Sequence, residues 1–138
     1  VARKALILAR TFGIKLEYND VELTPVVAYQ QKSKEKTSLE EALSAAETDL
    51  RERFSSAFKH DQTLRYMARI TKNSVRVGIE RVDLDSPFGK LRGRDNQICI
   101  YSKRYRDHPL LLTGPGAGAE VTAAGVLSDI IALATQKL

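Results

Sequence analysis

The sequence predicts an α+β fold, a mostly antiparallel or mixed β-sheet covered by helices. Two alternating apolar runs stand either side of Lys72-Asn73, which is the pattern of a hairpin. Segments with apolar side chains every third or fourth residue flank that hairpin, and a glycine-rich loop leads into a closing helix. A chain of 138 residues is long enough for one domain with a buried core and short for two.

Residues 2–12 read as a half-buried helix, with Ala5, Leu8, Ala9 and Phe12 recurring at helical spacing and Arg3 and Arg10 on another face. Gly13 follows as its C-cap. Residues 14–18 alternate Ile14, Leu16 and Tyr18 with Lys15 and Glu17, so a short strand is expected there. After the Asn19-Asp20 turn, residues 21–27 read as extended around Pro25. Residues 29–37, with Lys32, Lys34 and Lys36, read as a solvated linker. Ser38 and Glu41 form a capping-box pattern, in which each side chain accepts from an amide left open at a helix start. The helix beginning there places Leu39, Leu43, Ala46, Leu50, Phe54 and Ala57 on one stripe, expected to pack on the sheet. Its other face, with Glu40, Glu47, Arg51 and Lys59, meets water, and His60-Asp61 closes it.

Leu64, Tyr66, Ala68 and Ile70, then Val75, Val77 and Ile79, form an antiparallel hairpin with one buried face. Pro87 and Gly93 punctuate a connection before strands expected over residues 97–102 and 110–113. Residues 114–118 then turn into a helix over residues 120–138.

Composition narrows the classes of function. Hydrophobic residues at 43% and charged residues at 28% match an ordinary globular protein rather than a disordered chain or a disulfide scaffold. No apolar run approaches the roughly 20 residues needed to cross a bilayer, so membrane insertion and secretion are not expected. The single cysteine, Cys99, lies between Ile98 and Ile100 and reads as a reduced, buried thiol in a reducing compartment such as the cytoplasm. The excess of 22 Lys and Arg over 17 Asp and Glu gives +5, which attracts phosphate-bearing partners, whether nucleic acid or a phosphorylated cofactor. Val1 stands where a methionine would start a chain, and helical periodicity begins without a cap, so the sequence reads as a piece of a longer protein.

The segment Gly114-Pro115-Gly116-Ala117-Gly118-Ala119 joins an apolar strand to a helix. Its glycines permit a sharp turn and a close approach by a ligand, and open amides at a helix start favour an anion or a polar carboxamide. A purely structural turn accounts for the same spacing, and the fit to a dinucleotide fingerprint is limited to Gly114, Gly116 and Ala119. Glu120 at the helix start would repel a phosphate. Lys4 lies with Ile7, Leu8 and Thr11, away from Arg3 and Arg10, since each helical step turns about 100°. An amine among apolar neighbours is open to tuning for proton transfer, while a lysine at such an edge more often extends its head into water. His60 and His108 are isolated from other metal ligands, so no metal site is expected. Lys103, Arg104, Tyr105 and Arg106 make a small basic patch with an aromatic, compatible with nucleic acid but more often a solvated surface; Asp83, Asp85 and Asp95 suggest carboxylate chemistry, while Asp95-Asn96 after Gly93 reads equally well as turn chemistry.

Three segments taken in order resemble the C-terminal catalytic portion of homoserine dehydrogenase: residues 1–10, VARKALILAR; residues 86–96, SPFGKLRGRDN; and residues 114–126, GPGAGAEVTAAGV. The resemblance implies interconversion of L-homoserine and L-aspartate-4-semialdehyde with NADP or NAD, in threonine, methionine and isoleucine biosynthesis. It implies that Lys4 is the acid/base at the substrate oxygen, and that Gly116 and Gly118 lie at the cofactor, with Gly118 the best single transfer. It further implies a homodimer and no nucleic-acid or membrane partner. The location implied is the cytoplasm, or a plastid for a plant protein. Residues 1–138 would then be one catalytic and dimerisation domain whose final helix packs on an absent N-terminal Rossmann domain. That upstream region would also carry the substrate-binding acidic stretch, an aspartate just before the position of Val1, and a sodium site. The chain by itself is accordingly expected to be inactive and to expose part of the stripe Val121, Ala124, Leu127, Ile131 and Leu138. Closure at Lys137-Leu138 fits a bifunctional aspartokinase/homoserine dehydrogenase or a short unregulated enzyme. The alternative is a non-catalytic dimerisation or anionic-ligand-binding module.

Overall fold

Small side chains decide how the first helix packs. In the computed structural model, α1 (Ala2–Thr11) buries Ala2, Ala5, Leu6 and Ala9. The expected stripe through Leu8 and Phe12 is therefore corrected, since these are 38% and 62% exposed. Alanines let the helix backbone approach the sheet closely, so they set the seam and the larger residues fall on its flanks. Gly13 takes φ 81° and donates its N–H to the Arg10 carbonyl while the Ile14 N–H bonds to Ala9, completing a Schellman cap.

The structure describes residues 1–27 and 38–135. The expected linker over residues 29–37 and the last turn of the closing helix, residues 136–138, lie outside them. The chain divides into two compact units, Val1–Gly89 and Lys90–Leu138.

In the first unit the strand expected over residues 14–18 does not form. The groups it would have offered to a neighbouring strand are already used: Arg10 Nε donates to the Leu16 carbonyl at 3.0 Å, and Glu17 N–H donates to Asp20 Oδ2 at 2.7 Å. A 3-10 turn, Tyr18–Asp20, takes its place. The alternation still has meaning, because Ile14 and Leu16 pack against the core. β1 (Val21–Leu23) is shorter than the expected extended run. Thr24 N–H still bonds to the Val77 carbonyl at 2.8 Å, and Pro25, which lacks an N–H, follows.

β1 lies parallel to β3 (Val75–Asp83), and β3 pairs antiparallel with β2 (Gln62–Ile70), giving the order β1-β3-β2. The hairpin expected around Lys72-Asn73 is present and extends further at its open end. Ala2, Ala5, Leu6 and Ala9 close over Val21, Val75 and Val77 to form the core. The strand residues of this core share one face, as the register Val21↔Val75, Ala68↔Val77 and Ile70↔Val75 requires. On the other face Arg69 pairs with Glu80 at 2.5 Å and Arg76 with Glu22 at 2.8 Å.

α2 (Leu39–Phe58) starts at the expected capping box: Glu41 N–H donates to Ser38 Oγ at 3.1 Å and Ser38 N–H to Glu41 Oε2 at 2.9 Å. Its packing face is again turned toward small residues, with Ala42 and Ala57 buried and Ala46 and Leu50 half-buried. The expected stripe is thus corrected at Leu39, Leu43 and Phe54, which are exposed; Phe54 stacks on Phe58 with ring centroids 6.1 Å apart. Arg53 reaches the Ile79 carbonyl at 3.3 Å, tying α2 to the sheet.

A short helix, α3 (Pro87–Lys90), follows β3. Ser86 Oγ donates to the Asp83 carbonyl and accepts from Gly89 N–H, and Arg65 in β2 donates to the carbonyls of Phe88 and Gly89 at 2.8 and 2.9 Å. Gly89 is buried where a Cβ would overlap the Asp83 and Leu84 carbonyls, so glycine is required.

The second unit holds an antiparallel pair, β4 (Asp95–Ile100) and β5 (Leu110–Pro115), and the helix α4 (Ala119–Thr135). β4 ends two residues before the expected limit because Ser102 enters the loop, where its N–H bonds to Tyr105 and its Oγ accepts from Tyr105 N–H. No described residue of this unit is buried, and Cys99, expected to be buried, is half-buried. Val121, Leu127 and Ile131 on α4 are 41%, 57% and 53% exposed, which is the apolar exposure expected of that stripe.

Candidate functional site

Lys4 stands in the first turn of α1, exposed, on the face opposite the buried seam. Ala5, Leu6 and Ala9 anchor the helix in the core, so the backbone that carries Lys4 is fixed while its ammonium stays accessible. Among the described residues it makes no ion pair. Ile7 and Leu8 beside it are exposed apolar groups, and Thr11 Oγ is occupied by the Ile7 carbonyl at 3.0 Å. Among the described residues the cation therefore has apolar neighbours and no resident counter-charge, which suits a group that meets a reacting oxygen.

Gly116 and Gly118 lie together in the second unit, between β5 and α4. Gly118 takes φ 135°, a conformation that L side chains rarely adopt. Its carbonyl accepts from Thr122 N–H at 3.0 Å and Thr122 Oγ at 2.8 Å, so Gly118 caps the start of α4 through its backbone alone. The first amides of that helix have no intrahelical partner. A Cβ at Gly118 would meet nothing within 4 Å, which leaves its α-carbon open to the approach of a flat ring. Gly116 differs, because a Cβ there would overlap the carboxamide of Asn96. The Asp95↔Pro115 and Asn96↔Gly114 register brings these two segments side by side.

Asn96 was thus invisible as a site neighbour in the sequence, where Asp95-Asn96 reads as a turn. The only available signal was its place in the second of the three resembling segments. Arg65, which holds the carbonyls of Phe88 and Gly89, was equally hidden among alternating strand residues.

The remaining candidates have structural duties. His60 Nδ1 bonds to the Ser56 carbonyl, His108 lies exposed in the β4–β5 loop, and among the described residues no cluster of His, Cys, Asp or Glu is arranged to hold a metal ion. Lys103, Arg104, Tyr105 and Arg106 occupy the exposed bend of that loop. Asp83 accepts from Gln62 at 3.0 Å. A shallow cleft of about 570 Å³ lined by Phe12, Gly13, Ile14, Leu16 and Lys72 lies at the far end of α1 from Lys4.

Known proteins place these residues in a family. Residues 1–131 match the sequence profile of the family described as homoserine dehydrogenase. The chain is 39% identical over 140 residues to the chloroplastic bifunctional aspartokinase/homoserine dehydrogenase 2 of Arabidopsis thaliana, covering 98% of this chain and 15% of that protein. It is 39% identical over 140 residues to the homoserine dehydrogenase of Saccharomyces cerevisiae, covering 97% of this chain and 38% of that one. A crystal structure of a Candida auris protein of unknown function is similar in fold, with a TM-score of 0.81 and 38% identity, covering 98% of this chain and 38% of that chain. The chain thus spans well under half the length of the relatives it matches.

Proposed function

The chain belongs to the homoserine dehydrogenase family, and from that premise we propose that it is the catalytic and dimer-forming portion of an NAD- or NADP-dependent enzyme interconverting L-homoserine and L-aspartate-4-semialdehyde. That reaction lies on the route to threonine, methionine and isoleucine. Residues 1–138 are completed by an upstream nucleotide-binding domain, against which the exposed face of α4 packs. The enzyme works in the cytoplasm, or in a plastid if the source is a plant; no helix among the described residues is long and apolar enough to cross a membrane.

The observation that carries this reading is Lys4, an accessible ammonium on a helix whose opposite face is locked into the core. As the aldehyde is reduced, negative charge develops on its oxygen. The Lys4 ammonium stabilises that charge and transfers one proton to it, leaving a neutral amine and the alcohol. In the oxidative direction the neutral amine takes the hydroxyl proton as the carbon loses hydride. A nicotinamide cofactor, when bound, would supply the hydride chemistry. Gly118, with its open α-carbon and positive φ, and Gly116 would hold the ring side of the cofactor.

The test is homoserine-dependent reduction of NAD and NADP by the full-length enzyme and by this chain alone. Turnover is expected from the full-length protein only, since the chain lacks the geometry that positions both reactants. Turnover by the isolated chain contradicts the division of labour proposed here. Salt-sensitive binding of nucleic acid by an inactive full-length protein would support a binding module instead. Light scattering of the isolated chain is expected to show a dimer or larger species, with hydrophobic-dye binding at the exposed α4 face; a dye-silent monomer contradicts the proposed assembly.

A further inference from the structure

Asn96 and Gly116 stand twenty residues apart in sequence; Asn96 pairs with Gly114 in the β4–β5 ladder, and its side chain reaches Gly116 just beyond the end of β5. The Asn96 carboxamide occupies the place where any Cβ at position 116 would stand, and its own Cβ lies 3.1 Å from that point. It is a short side chain rooted in a paired strand, so its reach is fixed by the ladder. Two residues further on, Gly118 takes its positive φ and its carbonyl receives both Thr122 bonds that start α4. The path of the backbone across Gly116 therefore sets how the start of α4 is aimed. A Cβ at Gly118 would meet nothing within 4 Å, so Thr122 holds the turn through the Gly118 carbonyl alone.

We propose that Asn96 is a positioning residue for the cofactor, acting through packing on Gly116 to hold the Gly116–Gly118 backbone in its binding geometry. This rests on the cofactor-facing role assigned above to those glycines. In this role Asn96 acts through the backbone it packs on and not on the reacting atoms. Without the carboxamide the turn samples other paths, and cofactor binding weakens while proton transfer at Lys4 is unaffected. An alanine at position 116 displaces the carboxamide and has the same consequence.

The experiment is a double-mutant cycle in the full-length enzyme, reading KM for NAD or NADP, KM for homoserine and kcat. Asn96→Ala and Gly116→Ala are each expected to raise the cofactor KM about tenfold, with homoserine KM and kcat within about twofold in Asn96→Ala, and the cofactor KM of the double variant is expected to be no worse than that of either single one. Asn96→Leu, which keeps the shape without the hydrogen-bonding atoms, is expected to stay within about threefold of the parent in cofactor KM. Additive losses, or an Asn96→Leu defect equal to that of Asn96→Ala, overturn positioning by packing. Hydrogen exchange of the amides at residues 116–122 in the same full-length proteins separates this proposal from the functional one. Faster exchange there in Asn96→Ala, with the β2–β3 amides unchanged, upholds the contact even if the enzyme lacks homoserine turnover; unchanged exchange overturns it.

Discussion

The two units of this chain put the same kinds of secondary structure to opposite effect. Val1–Gly89 encloses a core in which α1 alanines meet Val21, Val75 and Val77, whereas Lys90–Leu138 contains no buried residue among those described. The second unit is no less apolar: Ile98, Leu112, Val126, Leu127, Ile130 and Leu133 are all at least 44% exposed. The difference teaches that apolar content does not make a core. Burial needs a facing layer, and a two-stranded ribbon with one helix supplies too little surface to be stable alone. The first unit therefore serves as the rigid carrier of Lys4, and the second as a surface that presents the glycine turn.

This contrast is broken most sharply by substitution in the first core. Val75 is fully buried, and Val75→Ala is expected to cost about 2–3 kcal/mol, combining lost burial with a cavity. Urea denaturation of the full-length enzyme measures it, and a loss below about 1 kcal/mol would mean that the core repacks freely. Arg65→Ala removes the donors that hold the Phe88 and Gly89 carbonyls, and is expected to cost about 1–2 kcal/mol in the same assay. An unchanged midpoint would show that water replaces both bonds at no cost. Ser38→Ala should cost about 1 kcal/mol by removing one half of the α2 capping box, with Ser38→Asp restoring most of it.

The smallest effect belongs to the second unit. Leu127→Ala on α4 is expected to change the stability of this chain by less than about 0.5 kcal/mol, because its side chain is 57% exposed. In the full-length enzyme the same substitution should cost more than about 1 kcal/mol, since the proposed partner domain covers that face. Equal and small losses in both proteins would remove the reason for assigning α4 a partner.

These predictions follow the parts of the fold that sequence patterns reveal. The α2 capping box was readable because both partners are local, three residues apart, and the β2–β3 hairpin because period-2 alternation flanks a polar turn. The packing seams of α1 and α2 were misread by a fraction of a turn. The expected stripes paired Leu8 and Phe12 with Ala5 and Ala9, and Leu43 and Phe54 with Ala57; of these the alanines are buried and the larger residues are not, and Leu6 and Ala42 complete the seams. The strand expected at Ile14 failed for another reason: alternation reports which side faces the core, while a strand also needs free backbone partners, and Arg10 and Asp20 had taken them. Gly118 was legible as a turn position through its glycine spacing. Asn96 was not, because its significance comes from a cross-strand register and no local pattern encodes it.

The proposed function depends most on Lys4 as the acid/base. The most direct test is Lys4→Ala in the full-length enzyme, reading kcat for homoserine oxidation alongside the dissociation constant for NADP. The expected result is a loss of about 10²–10⁴-fold in kcat with cofactor binding unchanged; an unimpaired kcat would contradict the assignment of Lys4 and with it the proposed mechanism.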